Sequence, residues 1–197
     1  REVGEVQAFN DVDKAAGARI LETAKAAGKS SLSAEEVYSI LEAYKIPVAD
    51  WRMATNADEA EKEAADIGYP VVIKADSESI VHKSDMGGVA VGLADGAAVK
   101  AAVEKMQNSF SAGDLRFFIQ KYLPGGLELI MGAKAEEGLG HAVMFGLGGI
   151  YVEIMKDVVF NLTPVSSGEA KEMLASIKGA ALLEGVRGQK GVDQAIL

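Results

Sequence analysis

The chain has 197 residues, 49% of them apolar, and a formal net charge of −9. This length and composition allow one large domain or two small ones, each with a buried core. The acidic balance argues against nucleic acid and anionic membranes as partners, and the absence of cysteine excludes disulfides, thiolate metal sites and cysteine nucleophiles.

The apolar runs and the first residues bear on the location of the protein. The longest uncharged run, 138–152, is shorter than the roughly 20 apolar residues that a membrane helix needs. The opening stretch, REVGEVQAFNDVDK, has no apolar signal core. We therefore expect a cytoplasmic protein with no membrane partner, and we expect the sequence to be a piece of a longer chain.

Helical and strand patterns alternate along the chain. Residues 11–28 are alanine-rich with apolar positions near helical spacing, and a second helix begins after Ser33, where Glu36 completes a capping box. The elements predicted after these are a strand at 48–54, a helix at 56–68, strands at 69–75 and 89–93, a helix at 95–110, strands at 115–123, 125–135 and 140–149, a hairpin at 150–162 broken near Lys156, and a helix at 166–177. This order predicts an α+β or α/β fold without internal repeats.

Lys74 lies near the end of PVVIK, a run that is typical of a strand buried on both faces. A lysine is rarely buried without a partner, so either an anion meets Lys74 or its side chain reaches solvent. Gly87 and Gly88 follow in VHKSDMGGV. Backbone N–H groups converge on anions in some glycine-containing turns, although an isolated glycine pair is more often an ordinary hairpin.

The sequence contains two histidines, His82 and His141. No second metal ligand lies at a useful spacing from His82, and a lone histidine is more often structural, which is how we interpret His141. A neutral imidazole is also a competent nucleophile at neutral pH. His82 is therefore a candidate acceptor for a phosphoryl group.

Two carboxylates, Glu128 and Glu153, interrupt strand-like apolar runs. Each either faces water or suits a vicinal diol or a hydrated magnesium ion. The sequence contains no P-loop, GxGxxG, GxSxG or HExxH motif, which excludes the enzyme classes that depend on them.

Four stretches together resemble a known family: LSAEEVYSILEAYKIPV, IGYPVVIKADSESIVHKSDMGGVAVGL, VMFGLGGIYVEIMKDVVFNLTPVSSGEAKEML and LLEGVRGQKGVD. They are similar to the ATP-grasp subunit or domain of NDP-forming acyl-CoA synthetases, such as ADP-forming acetate-CoA ligase, a family related to the nucleotide-binding subunit of succinyl-CoA synthetase. The resemblance implies an α+β fold of the ATP-grasp type, with two α/β lobes enclosing a nucleotide. It divides the chain into a linker and helix at 1–28 and an ATP-grasp domain at 29–197, with lobes at about 48–123 and 124–197.

The resemblance also implies roles for individual residues. Lys74 would hold the α- and β-phosphates, and His82 would be a relay histidine for the phosphoryl group. The other implicated residues bind nucleotide or metal: Ser84, Asp85, Gly87 and Gly88 in a loop over the phosphates, Gln120, Lys121, Tyr122 and Leu123 along the adenine edge through backbone groups, Glu128 on the ribose, and Arg187 and Glu153 near the γ-phosphate and the metal.

In this family an acid, CoA and ATP are converted reversibly to acyl-CoA, ADP and phosphate, with ATP or ADP and Mg²⁺ at the ATP-grasp domain. Acyl phosphate forms at a separate CoA-ligase domain, where a histidine takes the phosphoryl group and a mobile segment delivers it. The implied partners are therefore the CoA-binding and CoA-ligase domains or subunit of the same synthetase. Both ADP and GDP as the nucleotide, and any acyl group in the substrate, are compatible with the sequence.

The chain departs from the family pattern at three places. It has no Asp-x-Asn-Pro strand, which ligates magnesium in relatives, so we expect an incomplete metal site and an inactive isolated chain. Asn161 in FNLTP replaces a usual arginine, and AEEGLGH replaces a usual DPxFGP turn. The alternative function, which Asn161 supports, is a non-catalytic or regulatory ATP-grasp module of a multidomain protein acyltransferase. The ligase is our first interpretation.

Overall fold

The computed structural model describes residues 6, 8–77, 87–110, 113–149, 156–186, 188 and 190–194. The chain forms two compact units, which we describe separately. The N-terminal unit is Asn10–Pro124, and the C-terminal unit is Gly125–Leu197 together with Arg1–Phe9. The lobe bounds expected from the sequence stay a prediction.

Two helices open the N-terminal unit, α1 at Lys14–Ala26 and α2 at Ala34–Ala43. The predicted capping box is confirmed: the Ser33 hydroxyl accepts from the Glu36 N–H, and the Glu36 carboxylate accepts from the Ser33 N–H. The hydrogen bond from the Ser33 backbone, helped by Lys29, lowers the pKa of Glu36. Both bonds satisfy N–H groups that would otherwise lack partners, so they fix where α2 begins.

The N-terminal unit contains a four-stranded antiparallel sheet with strand order β1-β4-β2-β3. Its strands are β1 (Trp51–Ala54), β2 (Val71–Asp76), β3 (Val89–Leu93) and β4 (Arg116–Lys121). Helices α3 (Ala57–Ile67) and α4 (Gly96–Ser109) pack on one face of the sheet. Because side chains alternate between faces, Ile73 and Ala75 enter this core and Lys74 lies on the opposite face.

The C-terminal unit contains a three-stranded antiparallel sheet with order β5-β6-β7. Its elements are β5 (Leu129–Glu136), β6 (Gly140–Leu147), β7 (Val158–Leu162), α5 (Ser167–Ser176) and α6 (Ala180–Glu184). Phe145 and Leu147 of β6 pack with Leu174 of α5 and Leu183 of α6, which forms a second hydrophobic core.

The predicted elements agree with the structure to within a few residues, and β3 has the predicted bounds. Two antiparallel sheets packed with helices confirm the α+β class. Of the hairpin expected at 150–162, residues 150–155 lie outside the described residues, and β7 pairs with β6. Helix α6 was not predicted, because five residues are too few to show a helical period. No helix in the described ranges is long and apolar enough to span a membrane.

Candidate functional site

Lys74 lies in β2, which pairs with a strand on each side, and it faces away from the helix-covered core. Its register partners are Val89 on β3 and Phe118 on β4. Directly opposite residues of antiparallel strands share a face, so these three side chains lie side by side. Gln120 lies on the same face, two residues along β4 from Phe118. Every residue of β2 is buried except Lys74, which is half-buried.

The ammonium of Lys74 contacts neutral groups. Its Nζ donates to Gln120 Oε1 at 3.0 Å and lies 5.9 Å from the centroid of the Phe118 ring. Within the described part of the chain, Lys74 makes no ion pair. Burial lowers the pKa of Lys74, because loss of water disfavours the charged form. An anionic ligand would therefore stabilise a positive charge that the described residues do not neutralise.

An aromatic cluster borders Lys74. It consists of Tyr38 of α2, Trp51 of β1 and Phe118 of β4, with Tyr38 and Trp51 lying 4.7 and 5.5 Å from Phe118 between ring centroids. The sequence did not identify these three residues as part of a site. The consecutive aromatic residues of β4 were the available signal in the sequence for this cluster. Residue spacing does not show which face of a sheet a preceding helix covers, so the contribution of Tyr38 could not be predicted.

The glycine pair 87–88 lies next to Lys74. The Gly88 carbonyl accepts from the Ala75 N–H at 2.8 Å, and Gly87 has a φ of 75°, in the left-handed region that favours glycine. The structure thus brings the pair to the end of β2 that carries Lys74. The other predicted residues of this loop and of the metal surroundings lie outside the described residues: His82, Ser84, Asp85, Glu153 and Arg187.

The run predicted to meet adenine, Gln120–Leu123, forms the end of β4 and the residues after it. The N–H groups of Lys121 and Tyr122 donate to main-chain carbonyls of the same unit, at 2.8 and 3.1 Å. The Lys121 ammonium also binds main-chain carbonyls, at 2.7 and 2.9 Å. For the Leu123 N–H, the described residues supply no acceptor. Contact of this run with adenine stays a prediction.

Glu128 lies immediately before β5 in the C-terminal unit, and its side chain is exposed. Its main-chain carbonyl accepts from the Gly148 N–H at 2.7 Å. Its carboxylate lies against Gly149, where a Cβ would overlap with Oε2 and where φ is 56°. The positive φ favours glycine at position 149, and the absence of a side chain there lets the Glu128 carboxylate lie against the main chain.

A cavity of about 960 Å³ opens beside Glu128 within the C-terminal unit. Half of its lining residues are glycines, and it also contains one carboxylate and one ammonium group. The lining residues are Gly125, Gly126, Leu127, Glu128, Gly148, Gly149, Leu182, Gly185, Val186, Lys190, Gly191 and Val192. The absence of side chains at the glycines leaves main-chain groups accessible, which suits a ligand that hydrogen-bonds to the backbone.

A buried carboxylate, Asp157, also went unrecognised in the sequence, where it lies at the expected break of a hairpin. Asp157 is 3% exposed, and its carboxylate accepts from the N–H groups of Lys178 and Gly179, both at 2.7 Å. These bonds join the residue before β7 to the turn before α6. Both donors are main-chain groups of a turn, so Asp157 has a structural role.

Comparison with known proteins identifies the family. A sequence model described as ATP-grasp domain matches residues 23–197. The chain belongs to the ATP-grasp family. The resemblance found in the sequence is thereby confirmed, and with it the ATP-grasp type of fold.

Two relatives of this ATP-grasp chain are ADP-forming CoA ligases. It is 43% identical over 195 residues to the 4-hydroxybutyrate–CoA ligase of Nitrosopumilus maritimus, which covers 96% of this chain and 28% of the relative. It is 42% identical over 188 residues to acetate–CoA ligase I subunit beta of Pyrococcus furiosus, which covers 92% of this chain and 81% of the relative. The chain therefore spans about a quarter of the first protein and about four fifths of the second.

Solved structures of the acetyl-coenzyme A synthetase 1 of Ca. Korarchaeum cryptofilum have a similar fold. One, in complex with coenzyme A, Ca-AMPCP and HgCl+, has a TM-score of 0.85 at 37% identity, over 90% of this chain and 80% of that one. Another contains coenzyme A and Mg-AMPPCP, with a phosphohistidine segment pointing towards the nucleotide binding site. It has a TM-score of 0.79 at 36% identity, over 91% and 79% of the two chains.

Proposed function

We propose that this chain is the nucleotide-binding part of an ADP-forming acyl-CoA ligase, which converts an acid, CoA and ATP reversibly to acyl-CoA, ADP and phosphate. The observation that carries the proposal is the half-buried ammonium of Lys74, which has neutral contacts and lies beside the glycine pair 87–88. Family membership supports it, and the two relatives named above are ligases of this type.

The chemistry of Lys74 suits phosphate groups. Burial has already removed part of the water from its ammonium, and its contacts, an amide oxygen and an aromatic face, do not neutralise the charge. A phosphate oxygen accepts a charge-assisted hydrogen bond, which is about twice as strong as a neutral one. Lys74 would thus bind the α- and β-phosphates, while the loop from Ser84 to Gly88 covers them.

His82 would act as the relay residue. In the direction of ATP synthesis, its imidazole nitrogen attacks a phosphohistidine delivered from the CoA-ligase part, so that one P–N bond forms as another breaks. A β-phosphate oxygen of ADP then displaces the phosphoryl group from His82, which forms the P–O bond of ATP and returns a neutral imidazole. Support comes from the family block VHKSDMGGV and from the phosphohistidine segment of the Korarchaeum structure.

The nucleotide and metal surroundings extend the proposal. We assign the backbone of Gln120–Leu123 to the adenine edge, Glu128 to the ribose hydroxyls, and Arg187 and Glu153 to the γ-phosphate and Mg²⁺. Within the described part of the chain, no group of three His, Asp or Glu side chains is placed to bind a metal ion.

The partners follow from the division of labour in this reaction. Acyl phosphate chemistry and CoA binding would belong to CoA-binding and CoA-ligase domains or to a second subunit of the same cytoplasmic synthetase. The relatives named above favour the ligase over a regulatory module of a protein acyltransferase, although Asn161 departs from the family pattern. The acyl substrate would be selected outside this chain.

Binding of ATP and adenosine by the Lys74→Ala variant tests the assignment. Titration calorimetry should show that the variant loses about 1.5–3 kcal/mol of ATP binding, the usual size of a hydrogen bond to a charged group, and retains adenosine binding. The control is Lys62→Ala, because the Lys62 side chain is 76% exposed and lies on α3. An equal loss of binding free energy for ATP and for adenosine would show that Lys74 has a structural role.

A further inference from the structure

The side chain of Gln120 lies on the same face of the sheet as Lys74, one strand away. Lys74 is paired in register with Phe118 of β4, and Gln120 is two residues further along that strand. Residues in this diagonal relation are roughly 7–8 Å apart, a distance that two long side chains can bridge. The register of β2 and β4 therefore brings the Gln120 amide within reach of the Lys74 ammonium.

Apolar residues flank Gln120 across the sheet. Its register partners are Trp51 on β1 and Val72 on β2. The one polar group of Trp51, the indole N–H, donates to Glu42 of α2 at 2.8 Å. The Gln120 amide turns to Lys74 instead, where its Oε1 accepts from Nζ at 3.0 Å. An apolar side chain would also suit the two neighbours, so the hydrogen bond to Lys74 is what an amide adds at this position.

The chemistry of the two groups fixes the direction of this hydrogen bond. An ammonium has three N–H donors and no acceptor, so the end of the amide that faces Lys74 is its oxygen. The bond occupies one of the three donors of Lys74 and brings no negative charge.

Other lysines of the N-terminal unit meet carboxylates. Lys29 pairs with Glu36 at 3.0 Å, and Lys100 pairs with Asp58 and Glu61, both at 2.9 Å. The acceptor for Lys74 is an amide, although glutamate has almost the same size as glutamine. The charge that Lys74 offers to a ligand therefore depends on which of these two residues occupies position 120.

A carboxylate on the same face, Asp76, is engaged by another cation. Asp76 lies two residues along β2 from Lys74, and its register partner on β4 is Arg116. The Arg116 guanidinium contacts the Asp76 carboxylate at 3.3 Å and also pairs with Glu35 of α2 at 2.7 Å. Arg116 thus balances the charge of Asp76, while the acceptor for Lys74 is neutral.

We propose that Gln120 is a positioning residue for Lys74, and that it acts through its side-chain oxygen. The oxygen holds the ammonium at a defined place on their shared face of the sheet. Because the oxygen belongs to an uncharged amide, the positive charge is left to an anionic ligand. This role concerns the side chain of Gln120, whereas the contact with adenine proposed above concerns its backbone. The consequence for ATP affinity rests on the proposed phosphate-binding role of Lys74.

Two variants of similar size should move the pKa of Lys74 in opposite directions. Gln120→Glu should raise this pKa, because a carboxylate within hydrogen-bond distance favours the charged ammonium. Gln120→Leu should lower it further below its ordinary value, because the ammonium loses its acceptor. NMR titration of the Lys74 side chain in the ligand-free chain measures both shifts. A residue at position 120 that only filled space would not produce shifts of opposite sign.

Both variants should nevertheless weaken ATP binding and retain adenosine binding in titration calorimetry. Gln120→Glu should lower the affinity for ATP about tenfold, because the carboxylate neutralises the charge that strengthens a hydrogen bond to phosphate. Gln120→Leu should lower it about three- to tenfold, the effect of one neutral hydrogen bond. In a Lys74→Ala background, Gln120→Leu should have no further effect on ATP affinity, because the group that it positions is gone.

The matched controls are Gln107→Glu and Gln107→Leu, at an exposed position of α4. Gln107→Glu changes the net charge of the chain as Gln120→Glu does, so it separates the local effect from general repulsion of ATP. Neither control should change the pKa of Lys74 or the affinity for ATP.

The inference is overturned if Gln120→Leu leaves the pKa of Lys74 unchanged. It is also overturned if Lys74→Ala weakens ATP binding while Gln120→Glu and Gln120→Leu retain wild-type affinity. If instead both pKa shifts occur and Lys74→Ala retains wild-type ATP affinity, the positioning of the ammonium stands and the proposed function fails.

Discussion

At the scale of single residues, Lys74 combines a cost to folding with a proposed use in binding. Its ammonium is partly desolvated and meets an amide oxygen and an aromatic ring, so the ligand-free chain holds a charge without a charged partner among the described residues. Functional sites commonly contain such groups, because the ligand supplies the missing interaction. The same property that destabilises the free chain therefore favours binding of an anion.

Lys74→Met should stabilise the ligand-free chain at neutral pH. The pKa of Lys74 is lower in the folded chain than its ordinary value of 10.5, so the folded state binds fewer protons than the unfolded state between these two pKa values. Wild-type stability should therefore rise with pH in that window. Below the window the cost of burying the charge is fully present, and methionine removes it.

Thermal unfolding at a series of pH values measures this difference. We expect a gain on the order of 0.5 kcal/mol for Lys74→Met at neutral pH, kept small because the side chain is half in water, and a smaller gain at alkaline pH. Lys62→Met, at an exposed position, should show neither effect. A destabilised Lys74→Met at every pH would mean that the ammonium contributes to folding.

At the scale of elements, the predictions from sequence depended on local signals. The capping box at Ser33 and Glu36 was found because its residues are three apart and their bonds involve the nearby backbone. Strand β3 was found because glycines and an aspartate bound its apolar run. Because each of these signals lies within a few consecutive residues, it can be recognised without knowledge of the three-dimensional fold.

The parts that the sequence did not reveal depend on contacts between distant residues. Tyr38 and Phe118 meet because α2 packs on the open face of the sheet, and they are far apart along the chain. The carboxylate of Asp157 is buried only because the turn at Lys178 and Gly179 returns to it. Neither arrangement has a periodic or spaced pattern that could have predicted it.

Ser33→Ala should destabilise the N-terminal unit by about 1 kcal/mol, because the Glu36 N–H loses the side-chain acceptor that caps α2. Chemical denaturation of the chain measures this change. The comparison is Ser31→Ala, at an exposed position that the capping box does not use. Equal stabilities of the two variants would show that the capping box contributes little to folding.

At the scale of the whole molecule, an acidic chain with a net charge of −9 is proposed to bind a polyanion. The field of the whole chain repels such a ligand, so affinity must come from local groups such as Lys74 and the glycine-containing loops. This chain also spans about a quarter of the Nitrosopumilus ligase. Because the proposed reaction is divided between two parts, we expect this chain to bind nucleotide weakly by itself and to form acyl-CoA when the CoA-ligase part is supplied.

Transfer of labelled phosphate to His82 tests the central claim most directly. The full-length protein, or this chain with the ligase domain supplied separately, is incubated with labelled ATP or acyl phosphate, and an acid-labile, alkali-stable label is sought. We predict that the wild type is labelled and that His82→Gln loses both the label and net phosphoryl transfer, with ATP binding retained within about tenfold, or roughly 1.4 kcal/mol. His141→Gln, the variant of the other histidine, should retain both. Transfer at the wild-type rate in His82→Gln would contradict the account.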